Sequence, residues 1–248
     1  MKKYLALVLT AVFAASVSAQ ATQNQSNDKS ASGVAAVSNS SSVVLDLAKA
    51  TVQAHGGDKF KNMKTLVISG SAAVSATPSQ VIPATFVFVF SGEKYRVDIN
   101  NPFQPLKQIY DGEQTYSSIR GFSMPPLNRL GLPLLQKLDD SRFVVSELPE
   151  KLKKKKGFRV TSPEGYYTDF IVDEKSGQVK SYESSYEIDG RTVTTSVQID
   201  KMRNVDGVIL PETYSQRFDL ANLTIYSNFK AKEILVNSEV KDDVFVMN

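Results

Sequence analysis

The sequence contains no cysteine, no tryptophan and a single histidine, His55. Without cysteine there is neither a disulfide nor a lipid-modified N-terminal cysteine, and a zinc site would have to lean on carboxylates, which is unusual. Serine is abundant, but no G-x-S-x-G elbow occurs, and no S-x-x-K arrangement with its companion motifs. No phosphate-cradling glycine motif follows a strand. Asp139-Asp140 and Asp242-Asp243 lack the spaced ligands and glycine of a calcium loop. His55 falls at the expected end of a helix, where it faces solvent or meets the terminal carbonyls rather than acting as a base. A glycosidase-like carboxylate pair has no fixed spacing and stays open on sequence grounds. The reading is of a protein with no catalytic residue, no metal and no cofactor.

An excess of charge is missing too. Of 29 basic residues, Lys2 and Lys3 belong to the leader described below, leaving 27 against 26 acidic. A general nucleic-acid binder needs a basic face or stripe, so that class is excluded. The one dense cluster is Lys151-Leu152-Lys153-Lys154-Lys155-Lys156. It reads as a contact for an anionic membrane or an acidic partner, or as a solvated loop that protects a strand edge.

Long apolar runs are confined to the start. Lys2 and Lys3 precede the apolar stretch Leu5 to Val17, shorter than a membrane span requires, and Val17-Ser18-Ala19 offers small residues for cleavage before Gln20. Residues 1–19 are therefore expected to be a secretory signal of a bacterial envelope protein, with a soluble mature chain that is periplasmic or, alternatively, secreted. Residues 20–42, rich in Ser, Asn, Gln and Ala, are expected to be a disordered tether. Residues 43–248 suffice for one well-buried domain, expected to be a monomer.

Within that domain, Val44, Leu47, Ala48, Thr51, Val52 and His55 recur at helical spacing, and Gly56-Gly57 stops the helix. A short turn at Asp58 to Met63 follows, with Phe60 and Met63 facing the core. From Thr65 onward the pattern is of strands, about ten or eleven in one antiparallel meander. Asp111-Gly112, Asp189-Gly190 and Asp206-Gly207 are tight-turn signals. A sheet this long must curl, close or be covered. The most informative strand is ATFVFVFS, Ala84 to Ser91. Phe86, Phe88 and Phe90 share one face and Val87 and Val89 the other, so both faces need a cover. The helix from Val44 and the segment Phe122 to Leu138 (FSMPPLNRLGLPLLQKL) are available for this. In that segment Leu127, Leu130, Leu134, Leu135 and Leu138 form the inner face of short helices broken by proline and glycine. It is either a fixed plug or a lid over a ligand cavity.

Lys94-Tyr95-Arg96, then Tyr110-Asp111-Gly112 followed by Tyr116, and Val236-Asn237 through Asp243 to Phe245, in this order of elements, resemble the LolA/LolB-like superfamily over Val43 to Asn248. That superfamily includes a periplasmic lipoprotein carrier and an outer-membrane lipoprotein receptor. The resemblance implies a mainly β, α+β fold: a large curved antiparallel sheet forming an incomplete barrel, covered by an N-terminal helix and a leucine-rich helical lid. It also implies an apolar cavity for acyl chains and a place in outer-membrane biogenesis and transport. The stretch Phe90-Ser91-Gly92-Glu93 departs from the carrier, which has a basic residue before a proline there; the carrier's tryptophans and the receptor's anchoring cysteine are absent. A soluble paralogue that binds a lipid or lipoprotein acyl chain without catalysis is the leading expectation. Its wall would be Phe86, Phe88, Phe90, Tyr95, Val97, Leu223, Ile225 and Phe229, and its lid Leu127, Leu130, Leu134 and Leu135. The alternative is a sensing or protein-interaction module of the kind found in periplasmic sigma-factor regulators.

Overall fold

The computed structural model describes residues 34–77, 80–119, 126–188, 191–220 and 223–247. The expected leader, its cleavage site, the Asp189-Gly190 turn and Phe122 to Pro125 lie outside them. Helix α1 spans Val34–Ala54 and α2 spans Asp58–Lys61. The helix therefore begins inside the stretch expected to be tether: residues 34–42 continue α1 toward the N-terminus. Once 44–54 are helical, each preceding residue adds a hydrogen bond without a new nucleation cost. Val34-Ala35-Ala36-Val37 offers no breaker.

One stripe of α1 is buried, with Val44, Ala48, Thr51 and Val52 less than a tenth exposed. His55 follows it into the core, fully buried. This corrects the expectation of a solvent-facing or helix-capping histidine. Its Nδ1 lies 2.8 Å from the Ile209 carbonyl, and its Nε2 accepts the Val179 amide at 3.0 Å. Because Nε2 accepts, Nδ1 carries the proton. The Ile209 amide also donates to the His55 carbonyl at 2.9 Å. One residue thus fastens the helix end to two strands.

Twelve strands follow among the described residues: β1 (Thr65–Thr77), β2 (Gln80–Ser91), β3 (Lys94–Asn100), β4 (Leu106–Tyr110), β5 (Thr115–Ser117), β6 (Val144–Ser146), β7 (Gly157–Thr161), β8 (Tyr167–Val172), β9 (Val179–Ile188), β10 (Arg191–Val205), β11 (Val208–Leu220) and β12 (Leu223–Val236). They form one sheet in the order β5-β4-β3-β2-β1-β12-β11-β10-β9-β8-β7-β6. Two meanders, β1–β5 and β6–β12, are joined where the first strand pairs antiparallel with the last, Leu66 opposite Val236. The sheet is an incomplete barrel, open between β5 and β6. Each open edge is a strand of three residues, which leaves little unpaired backbone to recruit another chain.

The turns follow local chemistry. Asp206 and Gly207 both have positive φ, 55° and 88°, the backbone of a two-residue hairpin between β10 and β11. Asp111-Gly112 does not make that turn. There the Asp111 carboxylate accepts the Glu113 and Gln114 amides, each at 2.8 Å, in a longer side-chain-capped loop.

The largest core lies between one face of the sheet and α1, α2 and the leucine-rich insert. It joins Val44, Ala48, Val52 and Phe60 to Leu132, Leu134 and Leu135, and to Phe158, Phe170, Val197 and Ile234 from the strands. The insert is two short 3-10 helices, Leu127–Arg129 and Leu132–Lys137, broken as expected. Gly131, at φ 64°, and Pro133 separate and shorten them.

Candidate functional site

Strand β2 sets the site. Its register places Phe86, Phe88 and Phe90 opposite Gly70, Ile68 and Leu66 of β1, and opposite Ile99, Val97 and Tyr95 of β3. These residues share the face that carries α1 and the insert. Val87 and Val89 point the other way, and neither α1 nor the insert covers them. After β12 the chain turns at Asn237, φ 55°, and crosses the outside of the sheet. Phe245, 3% exposed, packs there on Val89 and Ile109, with Val67, Val87, Val240, Val244 and Met247 around them. Arg96 donates to the Val244 carbonyl at 2.9 Å, and Lys94 reaches Asp242 at 2.9 Å. The second apolar face of β2 thus has a cover that belongs to the protein itself.

The inner face is different. Phe86 and Phe88 lie 4.8 Å apart between ring centres; Phe229 meets Phe86 edge-on at 5.2 Å and stacks on Tyr214 at 4.9 Å. Such aromatic pairs add about 0.5–1.5 kcal/mol each beyond area burial. Ala72, Ala84 and Phe86 are buried in this cluster, whereas Ile68, Val74, Phe88, Ile99 and Tyr214 are only partly so. The small residues Gly70, Ala72 and Ala84 beside the rings leave them room. Gly70 sits at a β-bulge, where a Cβ would lie 2.1 Å from the Lys230 carbonyl oxygen. Toward β9 the same face becomes mixed: Thr168 and Ser184 hydroxyls meet at 2.8 Å and Gln216 donates to Thr195 at 2.9 Å. Burial, then the nearby Tyr182, hold the Tyr214 hydroxyl well above its ordinary pKa, and burial does the same to Tyr182.

The expected wall residues divide among these regions. Phe86, Phe88 and Phe229 come together in the aromatic cluster. Tyr95 and Val97 are fully buried beside it; Tyr95 stacks on Tyr110 and its hydroxyl accepts from Gln108 at 2.9 Å. Phe90 packs against the main core instead. Ile225 is partly buried opposite Phe218 on β11; Leu223 opens β12, its side chain outside the described residues. Of the insert, Leu134 and Leu135 are core residues, Leu130 packs with Tyr186 and Val193, and Leu127 is partly buried. Tyr214, Ile68, Val74 and Ile99 were missed. Tyr214 stands between Glu212 and Gln216 at the same strand parity, so its face of β11 carries no apolar alternation to mark it.

The insert is fastened at several points. Gln136 donates to the Phe60 carbonyl at 2.7 Å, the Gly131 amide to Thr168 at 3.1 Å, and Asn128 to the Glu93 carbonyl at 2.7 Å. Lys137 pairs with Glu93, and Arg129 lies 3.5 Å from it. Burial opposes ionisation of Glu93, but the hydrogen bond from Lys137 and the charges of Lys137 and Arg129 outweigh it and hold the carboxyl below its usual range. Of the lysine run, Lys151 pairs with Glu183 at 3.3 Å and Lys153 with Glu150. Among the described residues no three His, Cys, Asp or Glu side chains are grouped to hold a metal, and no helix is long and apolar enough to cross a membrane.

No protein-family model matches the sequence, and no curated protein does. Solved structures do. A LolA superfamily protein from Nitrosomonas europaea superposes with a TM-score of 0.50 at 11% identity, over 84% of this chain and 98% of that one. A DUF1329 family protein from Desulfovibrio piger gives 0.48 at 11%, over 84% and 97%. A domain named for outer membrane lipoprotein sorting, from Vibrio parahaemolyticus, gives 0.45 at 6%, over 83% and 97%. At these identities the likeness is one of fold, and the fold is LolA-like.

Proposed function

We propose that this LolA-like half-barrel is a periplasmic, non-catalytic carrier or binder of an apolar ligand, a lipid or a lipoprotein acyl chain. One observation supports the reading above all. On the inner face, Ile68, Val74, Phe88, Ile99 and Tyr214 around Phe86 and Phe229 are incompletely buried, while the opposite face of β2 is closed by the chain's own C-terminal segment. A contiguous, partly open aromatic surface on a concave sheet suits an apolar guest. Transfer needs no chemistry: the guest gains about 0.8 kcal/mol for each methylene removed from water. In this reading the insert closes one end of the half-barrel and the aromatic cluster forms the open remainder. Native mass spectrometry of the protein purified from its own periplasm tests it. A bound lipid or acylated peptide is expected; one stoichiometric protein partner and no lipid would favour the sensing module instead.

A further inference from the structure

The face of the sheet turned away from α1 and the insert carries a cavity of about 350 Å3, at the lower end of the range for small-molecule sites. Strand register builds its floor. Asp169 of β8 stands opposite Glu183 of β9, Glu183 opposite Ser196 of β10, Ser196 opposite Arg217 of β11, and Arg217 opposite Tyr226 of β12. Side chains directly opposite share a face, so these five form one row across the sheet. All five line the cavity, and the neighbouring row adds hydroxyl and carboxamide groups.

The wall is the loop between β6 and β7 that carries the lysine run. Leu148 is buried, and its methyl would lie 2.9 Å from a Cβ at Gly157, so only glycine lets the loop settle that closely. The Val172 amide donates to the Lys156 carbonyl at 2.9 Å, and the Lys155 amide to the Leu152 carbonyl at 2.8 Å. Held this way, the loop brings Leu152 and Lys155 to the cavity.

Charge selects the ligand. Asp169 is 1% exposed and engaged through both oxygens by Arg159, at 2.6 and 2.9 Å. Glu183 is met by Lys151 at 3.3 Å. Both acids of the floor are therefore neutralised. Lys155 has no ion-pair partner among the described residues, and Arg217 joins it on the lining, its own charge shared with Asp219. We propose that this cavity binds a phosphate ester of headgroup size. The phosphate sits between Lys155 and Arg217, and the hydroxyls of the ester bond Ser196 and the neighbouring polar row. Guanidinium and ammonium groups suit phosphate. The assignment is independent of the inner face.

Titration of the full mature chain with sn-glycerol 3-phosphate, followed by calorimetry and amide NMR, tests it. Saturable binding is expected, at least tenfold weaker in Lys155→Ala and unchanged in Lys241→Ala, an exposed lysine elsewhere. Both substitutions lie on the surface, and matching melting curves check that the fold is kept. A second arm uses phosphatidylglycerol and phosphatidylcholine vesicles. If glycerol phosphate displaces the protein from the anionic vesicles, the ester comes from a lipid headgroup; if the soluble ester binds and vesicles do not, it is free. Either result supports the site. Absence of saturable binding of the soluble ester, equal affinity in Lys155→Ala, or equal binding of glycerol would overturn it.

Discussion

The Nε2 atom of His55 accepts the backbone amide of Val179 at 3.0 Å, across 124 residues of sequence. With Nδ1 against the Ile209 carbonyl, the imidazole is held neutral between the helix end and strands β9 and β11.

A pH dependence follows. Burial lowers the His55 pKa, with the Ile209 hydrogen bond opposing it. The unfolded chain, with an ordinary value of about 6.5, takes up the proton first. The contribution of His55 is therefore complete above about pH 6.5 and is lost as pH falls toward the depressed folded value. Urea unfolding at pH 7.5, 6.5 and 5.5 should show falling stability. In His55→Gln that slope should vanish, with an overall loss of about 1–3 kcal/mol from unpaired buried groups.

Phe245 is the anchor of the outer cover. Phe245→Ala should cost about 3–5 kcal/mol, read as a lower urea midpoint with an unchanged slope. Phe103, 60% exposed, is the comparison: Phe103→Ala should stay within about 0.5 kcal/mol. Equal effects would show that the C-terminal segment does not cover β2 in solution.

Gly131 sets the bend of the insert. Its φ is 64° and its ψ −149°, a region almost reserved for glycine, and a Cβ would lie 2.9 Å from the Tyr182 ring. Gly131→Ala should destabilise by about 1–3 kcal/mol. Hydrogen exchange should speed up in residues 127–138 before it does in β10 and β11.

For the inner face, Phe88→Ser should lower the lipid content of the purified protein or the binding of a fluorescent fatty acid at least tenfold. Phe88 is only partly buried, so the fold should survive, which circular dichroism checks. Lys154→Ala should retain full lipid content. Equal lipid in all three proteins would remove Phe88 from the wall.

Much of this architecture was legible where the signal is local. The helical spacing of Val44, Ala48, Thr51 and Val52 placed a buried stripe that the structure keeps. The two apolar faces of β2 were read correctly as needing two covers. The short motifs behind the family resemblance are also neighbours in space: Lys94 and Arg96 hold Asp242 and the Val244 carbonyl. The second cover was assigned wrongly, because Val240, Val244 and Phe245 form no periodic pattern of their own. Tyr214 was missed for a related reason. Its role depends on stacking with Phe229, and a strand's own alternation does not reveal its neighbour.

The sequence by itself determined the mainly β class, the helix and its buried stripe, and the demand for cover on both sides of Phe86 to Phe90. These follow from side-chain period and turn chemistry, which act over a few residues. Only the tertiary structure decided which segment met which face: the C-terminal turn on Val87 and Val89, α1 and the insert over the other end of the sheet, His55 between two strands. Those choices rest on register between strands far apart in the chain. There one residue of slip exchanges the two faces, and only the sum of all the packed contacts selects the register.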